Sequence, residues 1–479
     1  MKLKYIIIWG ILIGIFGCSS IKRGANKSIE GTWESLGYGR ILKIKNNKFI
    51  IGDITKFSCQ ELFSGKISDF GNKIQLKNDT LSVKEGINEY FFTKIPDSPA
   101  LCKKGSPERQ NAEAKANDPM FNFEVLWDIF QTHYAYFDLR GINPEKMVAA
   151  YRPKVNVNTT EAELFFILDE MLSSFNDGHI GIEANDKIME EASKLYKVKY
   201  LKSSKKDSLP KLKKHRVAEA IAAKYIPKGT SIKNGNLRWG IIDNNIGYFQ
   251  LNQMMGLANY NISDTLSYRE YWTAYFDKLE MTENSTANEL EGLNTSLDRI
   301  MKEFANTKAI IIDLRFNGGG TDEIGMDVLR RFNGKEQLVF TKKARHGLGF
   351  TPTVKVSQPA IKNPYNKPVY LLISGESASA TEIMVLSSLS MPNITKIGSA
   401  TEGVFSDILD KRLPNGWEIG LSNEVYLDMN NNNFEGKGIK ADIHIPYPRD
   451  TQEFLHKLMS DLKEDDLAIL GALKNLNTN

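Results

Sequence analysis

The sequence predicts a chain of several domains: a small antiparallel β unit, then a helical segment, then an α/β core whose sheet is covered on both faces. Three observations carry this. Short apolar–polar alternations broken by turn formers fill residues 28–97, the pattern of half-buried antiparallel strands. Across 119–175 the apolar residues recur at helical spacing. From Leu237 onward, continuous apolar runs alternate with amphipathic stretches, as buried strands crossed by helices do.

The N-terminus comes first. Lys2 and Lys4 precede an apolar run from Tyr5 to Phe16, closed by Gly17 and Cys18. The run is shorter than the roughly 20 residues of a bilayer-spanning helix, and with its basic start it describes a secretory signal over 1–17. It looks like a bacterial lipoprotein signal, in which Cys18 is acylated and becomes the new N-terminus. Phe16 is bulkier than that motif usually carries, and the competing reading is an uncleaved anchor. Both place the body of the chain outside the cytoplasm, and the lipid would attach it to a membrane.

Composition excludes several classes. At 41% hydrophobic and 25% charged residues the chain is an ordinary globular protein. A formal net charge of +4 gives no electrostatic case for nucleic acid. With Cys18 assigned to lipidation, Cys59 and Cys102 remain as a pair in an oxidising compartment, where a disulfide is permitted. Neither lies in a CxxC or beside a metal-ligand pattern, so no metal or other cofactor is expected.

Residues 18–27 read as a tether. In 28–97 the alternations Ile41–Lys45, Lys48–Ile51 and Tyr90–Phe92, with turns at Asn46-Asn47, Gly71-Asn72 and Asn78-Asp79, predict a small barrel or sandwich. The polar stretch 98–118 is a linker. In 119–186 a helical face of Phe123, Leu126, Trp127, Ile129 and Phe130 precedes a capping box at Thr160–Glu163. That domain closes on Asn176-Asp177-Gly178-His179. The Lys-rich stretch 187–235 is read as a solvated insertion, because aromatics are too sparse for an acidic partner or lipid head groups.

The core spans 236–450. It opens with a hairpin, Arg238–Ile242 and Ile246–Phe249, followed by a helix with Leu293, Leu297, Ile300 and Phe304 on one side. Strand Ala309–Leu314, a helix around Ile324 to Phe332, strand Val369–Ile373 and a helix from Ala380 complete it, and a helical segment ends the chain at 451–479.

Two strand ends could carry chemistry. The first runs into Arg315-Phe316-Asn317-Gly318-Gly319-Gly320, where glycines let amides turn toward an anion. No Lys-Ser/Thr follows, so this is not a phosphate loop, and a plain tight turn explains it equally well. The second runs into Gly375-Glu376-Ser377-Ala378-Ser379-Ala380-Thr381-Glu382 at a helix start. Ser377 and Ser379 both qualify as nucleophiles, against the default that either caps the helix. The segment lacks the GxSxG pattern, which disfavours an α/β-hydrolase. Among six histidines, His133, His215, His346, His444 and His456 have nothing suggestive around them. His179 stands on a turn, either as the serine's base or as a turn residue bonded to its neighbours.

Taken together, Ile311 to Gly320 and Ser377 to Glu382 resemble the tail-specific, or carboxy-terminal processing, serine peptidase family. The resemblance extends back through Tyr136-Phe137-Asp138-Leu139-Arg140-Gly141 and Asn176–His179, and forward to Phe434–Ile443, covering about 119–447. It implies a crotonase-like or Clp-protease-like α/β core. It implies Ser379 as nucleophile, with Gly318, Gly319 and Ala380 as the oxyanion hole. One departure narrows it: Val404 stands where the processing peptidases carry a lysine base. The chain is similar instead to the tricorn-core and retinoid-binding-protein-like branch, which pairs serine with histidine. That implies His179 as base and Glu435 as the residue that orients it. A second departure is that 187–235 shows no PDZ pattern. The expected activity is hydrolysis of extracytoplasmic peptides or proteins through Ser379, His179 and Glu435. The alternative is a non-catalytic binding protein of the same fold carrying an apolar ligand. Neither oligomeric state nor cleavage specificity is legible.

Overall fold

A computed structural model describes residues 29–200, 210–243, 245–282 and 284–474. The signal segment, the tether, Cys18 and Lys205-Lys206 lie outside the described residues.

Seven antiparallel strands between Gly31 and Ile95 form one sheet in the order 59–66, 48–54, 40–45, 31–35, 88–95, 80–85, 74–77. Two of its hairpins turn on Asn46-Asn47 and Asn78-Asp79, all at positive φ between 49° and 65°, where the primed turns need residues that tolerate the left-handed region. Alternate residues Trp33, Leu42, Ile44, Phe49, Leu81 and Phe92 build its own core. Cys59 and Cys102 form a disulfide, fastening the strand at 59–66 to the turn that leads into the helices.

The α/β core centres on a second seven-stranded sheet in the order 443–444, 394–398, 369–373, 309–313, 246–251, 237–242, 230–232. The first five run parallel and the last two add an antiparallel hairpin edge. Period-2 alternation sorts its faces. Ile310 and Ile312 pack with Leu293, Leu297, Ile300 and Phe304 of helix Ser285–Phe304. Ala309 and Ile311 pack with helix Lys214–Tyr225 and with the C-terminal helices Thr451–Ser460 and Lys463–Lys474. Residues 210–235 are therefore no solvated insertion. Val217, Ala218, Ile221 and Ala222 are buried in the layer that covers the second face, and Arg216, Glu219 and Ala223 are exposed on the opposite side of the same helix. The C-terminal helices belong to that layer too.

The helical segment joins the core by a short strand: Gly181–Glu183 pairs antiparallel with Glu418–Gly420. The β unit docks through buried cations. Lys411 Nζ donates to the Tyr38 and Gly39 carbonyls at 2.6 and 3.0 Å and to Asp53 at 2.6 Å.

At the end of strand Ala309–Asp313, the fully buried Arg315 donates to Asp313 at 2.7 Å and to Asp465 of the last helix. Arg315→Leu should strand two buried carboxylates and lower unfolding free energy by about 3–5 kcal/mol, measured by urea denaturation. A loss under about 1 kcal/mol would mean that the pair does not hold the helix layer to the sheet.

Candidate active site

Strands 309–313 and 369–373 are parallel neighbours, so the glycine turn and the serine turn leave the same end of the sheet side by side. Asn317 joins them. Its fully buried side chain donates to the Leu251 carbonyl at 3.0 Å, and its Oδ1 accepts from Gly319 N at 2.9 Å and Thr381 Oγ1 at 2.8 Å. Its own carbonyl accepts from Ala378 N at 3.1 Å.

The two serines differ. Ser377 is fully buried; its Oγ donates to the Leu314 carbonyl at 2.8 Å and accepts from Ser374 N at 3.0 Å. Ser379 is half-buried at the N-cap of helix Ala380–Ser388, yet its side chain makes no capping bond. It holds φ 54° and ψ −126°, a region that costs a non-glycine residue about 1–3 kcal/mol and persists only where surroundings impose it. Capping, the default role of a serine there, is thus not what either hydroxyl does.

Gly319, at φ +101°, lies directly against this elbow. A Cβ placed on it would come within 2.7 Å of Ser379 Cβ and 3.0 Å of Ala380 N. The Ala380 amide is one of the first-turn donors that a helix leaves without an internal partner. Of the three amides expected to face an oxyanion, that of Gly319 is occupied by Asn317 Oδ1.

His179 is buried on its turn. Its amide donates to Asp177 Oδ1 at 3.0 Å, and Nδ1 has no hydrogen-bond partner among the described residues. Burial lowers the imidazole pKa, while Asp177 and the Ser406 backbone pull it the other way. The turn meets the serine segment through residues 402–404. A Cβ on Gly178 would lie 3.1 Å from Val404 Cγ1 and 3.3 Å from Glu402 Oε1, and Glu402 N donates to the Ser377 carbonyl at 3.0 Å. The position expected to carry lysine elsewhere in the family-like pattern is therefore packed against the histidine's turn. Ser379 Oγ and the imidazole are not hydrogen-bonded in this conformation.

Glu435 is buried but does not bond the imidazole. Its Oε2 accepts from Phe405 N at 2.8 Å and Ser406 N at 3.4 Å, and its Oε1 accepts from Arg140 at 3.1 Å. Burial first, and Asp177 next, push its carboxyl up to about 8. Arg140 also faces Asp177 at 3.9 Å. Asp177 Oδ1 accepts from Ser422 Oγ at 3.0 Å and Oδ2 from Tyr134 Oη at 2.9 Å. Asp177, Arg140 and Asn317 were not singled out from sequence. All three stand inside the motifs quoted above, which is the signal that could have marked them. Glu382 was missed as well: it accepts from Gly403 N at 2.8 Å and Val404 N at 2.7 Å.

Comparison with known proteins bears on the family and the fold. Residues 245–445 match the peptidase family S41 model and residues 116–173 the tricorn protease C1 domain. The carboxy-terminal processing protease CtpA of Bacillus subtilis is 25% identical over 239 residues, 48% of this chain and 46% of its own length. The chain thus spans about half of that relative. A solved Parabacteroides merdae protein, described as a candidate peptidase, is 21% identical at a TM-score of 0.52, over 75% of this chain and 97% of its own. Mature CPAF is 9% identical at a TM-score of 0.51, over 75% and 98%. These two share the fold. Over residues 245–445 the chain carries a peptidase family S41 domain, which supports the likeness to the tail-specific, carboxy-terminal processing peptidases.

Asn317→Ala would leave the Gly319 amide and the Leu251 carbonyl buried without partners. It should cost about 2–6 kcal/mol at roughly 1–3 kcal/mol per stranded group, read from the denaturant midpoint. An unchanged midpoint would remove Asn317 as the clamp between the two turns.

Proposed function

We propose that this chain hydrolyses peptide bonds of extracytoplasmic peptides or proteins, with Ser379 as nucleophile and His179 as its base. The observation that carries the reading is the Ser379 elbow: a hydroxyl released from capping, at a backbone angle that serine rarely adopts, with Gly319 and the Ala380 amide against it.

In the proposed reaction, Ser379 Oγ attacks the peptide carbonyl carbon and its proton passes to His179. The Ala380 and Gly318 amides receive the oxyanion, and Gly319 contributes by its missing side chain. Collapse breaks the C–N bond, His179 returns the proton to the departing amine, and water then hydrolyses the ester to restore Ser379. Glu435 orients His179 at one remove. It fixes the Ser406 amide, and the Ser406 backbone borders the imidazole. Asp177 is the carboxylate that most favours a proton on the ring.

Two features support a location outside the cytoplasm: the signal-like residues 1–17 ahead of Cys18, and the Cys59–Cys102 disulfide, which belongs to an oxidising compartment. In the same proposal the acylated Cys18 holds the enzyme on the membrane.

A fluorophosphonate probe tests the nucleophile. Labelling should occur on the wild type, vanish in Ser379→Ala, persist in Ser377→Ala and slow by about 100-fold or more in His179→Ala. Folded wild type that takes no label would favour the non-catalytic binding role instead.

The pH profile tests the base. Only neutral imidazole accepts the serine's proton, and burial holds His179 below the ordinary value of about 6.5. The acid limb of kcat/KM should therefore fall below pH ~6.5. Asp177→Asn removes the charge that favours imidazolium, so the limb should move to still lower pH. A shift to higher pH would contradict the assignment.

A further inference from the structure

A cavity of about 530 Å³ is linked through its lining to the glycine turn and to the serine turn. Gln253 lines it, and the next residue, Met254, pairs with the glycine turn: Met254 N donates to the Gly319 carbonyl at 2.8 Å, and Thr321 N to the Met254 carbonyl at 2.8 Å. On another wall, Lys214 reaches Glu376 of the serine turn at 3.0 Å.

The lining is aromatic and cationic. His215 stacks on Tyr268 with ring centres 4.0 Å apart, and Trp272 and Phe316 extend that surface. Arg238 stands among them half-buried. Its one hydrogen bond is to the neutral Gln250 Oε1 at 2.9 Å, and no carboxylate among the described residues is within ion-pair reach. The two acids of the cavity wall are engaged elsewhere. Glu219 pairs with Arg216 at 2.9 Å, and Asp264 accepts from Asn234 N at 2.7 Å. A guanidinium presents five N–H donors in a planar fork suited to a carboxylate; burial disfavours its charge, and Glu219, too far to form an ion pair, favours it.

We propose that this cavity is a substrate subsite that binds a carboxylate-bearing residue of the peptide, with Arg238 taking the carboxylate and the aromatic wall the apolar part beside it. The proposal rests on the peptidase reading of Ser379. The carboxylate could be that of a chain end or of an Asp or Glu side chain, and the chemistry recognised is the same.

The test is equilibrium binding to the full chain carrying Ser379→Ala, which needs no turnover. Fluorescent peptides are compared in two pairs, free C-terminus against C-terminal amide, and interior Glu against interior Gln, by anisotropy. In at least one pair the acid should bind about tenfold or more tighter, the scale of a charge-assisted bond. The pair that shows it identifies the source. Adding Arg238→Gln should abolish that margin while leaving the affinity of the amide or Gln peptide unchanged. Equal binding within both pairs, or a margin that survives Arg238→Gln, overturns the subsite. If that variant does not fold, the two peptide comparisons on Ser379→Ala decide alone, and equal binding within both overturns the subsite. Failure of the peptidase reading would show separately, as wild type without fluorophosphonate label.

Discussion

Asn317 is the contact on which the geometry of this site depends. One fully buried amide side chain reaches three segments: the strand ending at Leu251, the glycine turn at Gly319 and the serine helix at Thr381. Two parallel strands bring the turns to one sheet end, but adjacency alone would leave each loop free to settle in a relaxed conformation. The Asn317 bonds draw Gly319 so close to Ser379 that any side chain at 319 would collide with its Cβ. The unfavourable backbone of Ser379 survives because its neighbours are fixed on both sides. The Ser379 hydroxyl makes no capping bond and is left over from these structural tasks.

A second constraint holds the opposite wall. Two buried carboxylates take hold of four consecutive amides: Glu382 those of Gly403 and Val404, Glu435 those of Phe405 and Ser406. Burial raises both carboxyl pKa values, to about 7 and about 8, and each amide bond and Arg140 opposes that rise. Placing two acids in one dry region is costly, and the return is a loop whose position is set from both of its ends. The histidine turn rests on that loop through Gly178 and Val404. A valine in place of a lysine therefore fits the same logic: the position packs a turn and has no proton to carry.

Much of this was legible in the sequence because the relevant signals are local. Ile310 and Ile312 alternate with Ala309 and Ile311, and that alternation predicts a sheet covered on both faces. The Asn-rich turns predict tight hairpins, and glycines at 318–320 predict a close approach. What stayed illegible is long-range. Ser377 and Ser379 have the same chemistry in the chain; the resemblance favours Ser379, but the physical difference, the bonds of Ser377 to the Leu314 carbonyl and Ser374 amide, is visible only in the fold. Glu435 and His179 stand 256 positions apart in the chain, and no pattern foretells that Arg140 and Ser406 come between them. In the Lys-rich stretch the apolar set Val217, Ala218, Ile221 and Ala222 has helical spacing, but the density of lysines outweighed it.

The β unit, chemically silent in sequence, is bound to the same wall. Lys342 is buried between Glu424 at 2.6 Å and Asp407 at 3.0 Å, and it also donates to Asn88 of the β unit. Tyr38, again from the β unit, donates to Glu424 Oε1, and the Glu424 amide donates to Ser406 Oγ at 3.0 Å. A continuous run of hydrogen bonds thus leads from the first domain to the residue that Glu435 fixes beside His179. Removing the β unit would expose Lys342 and deprive Glu424 of a donor, and the disturbance would fall on Ser406. Buried charges of this kind tolerate no missing partner. The seven strands at the front of the chain are therefore tied to the wall that borders His179.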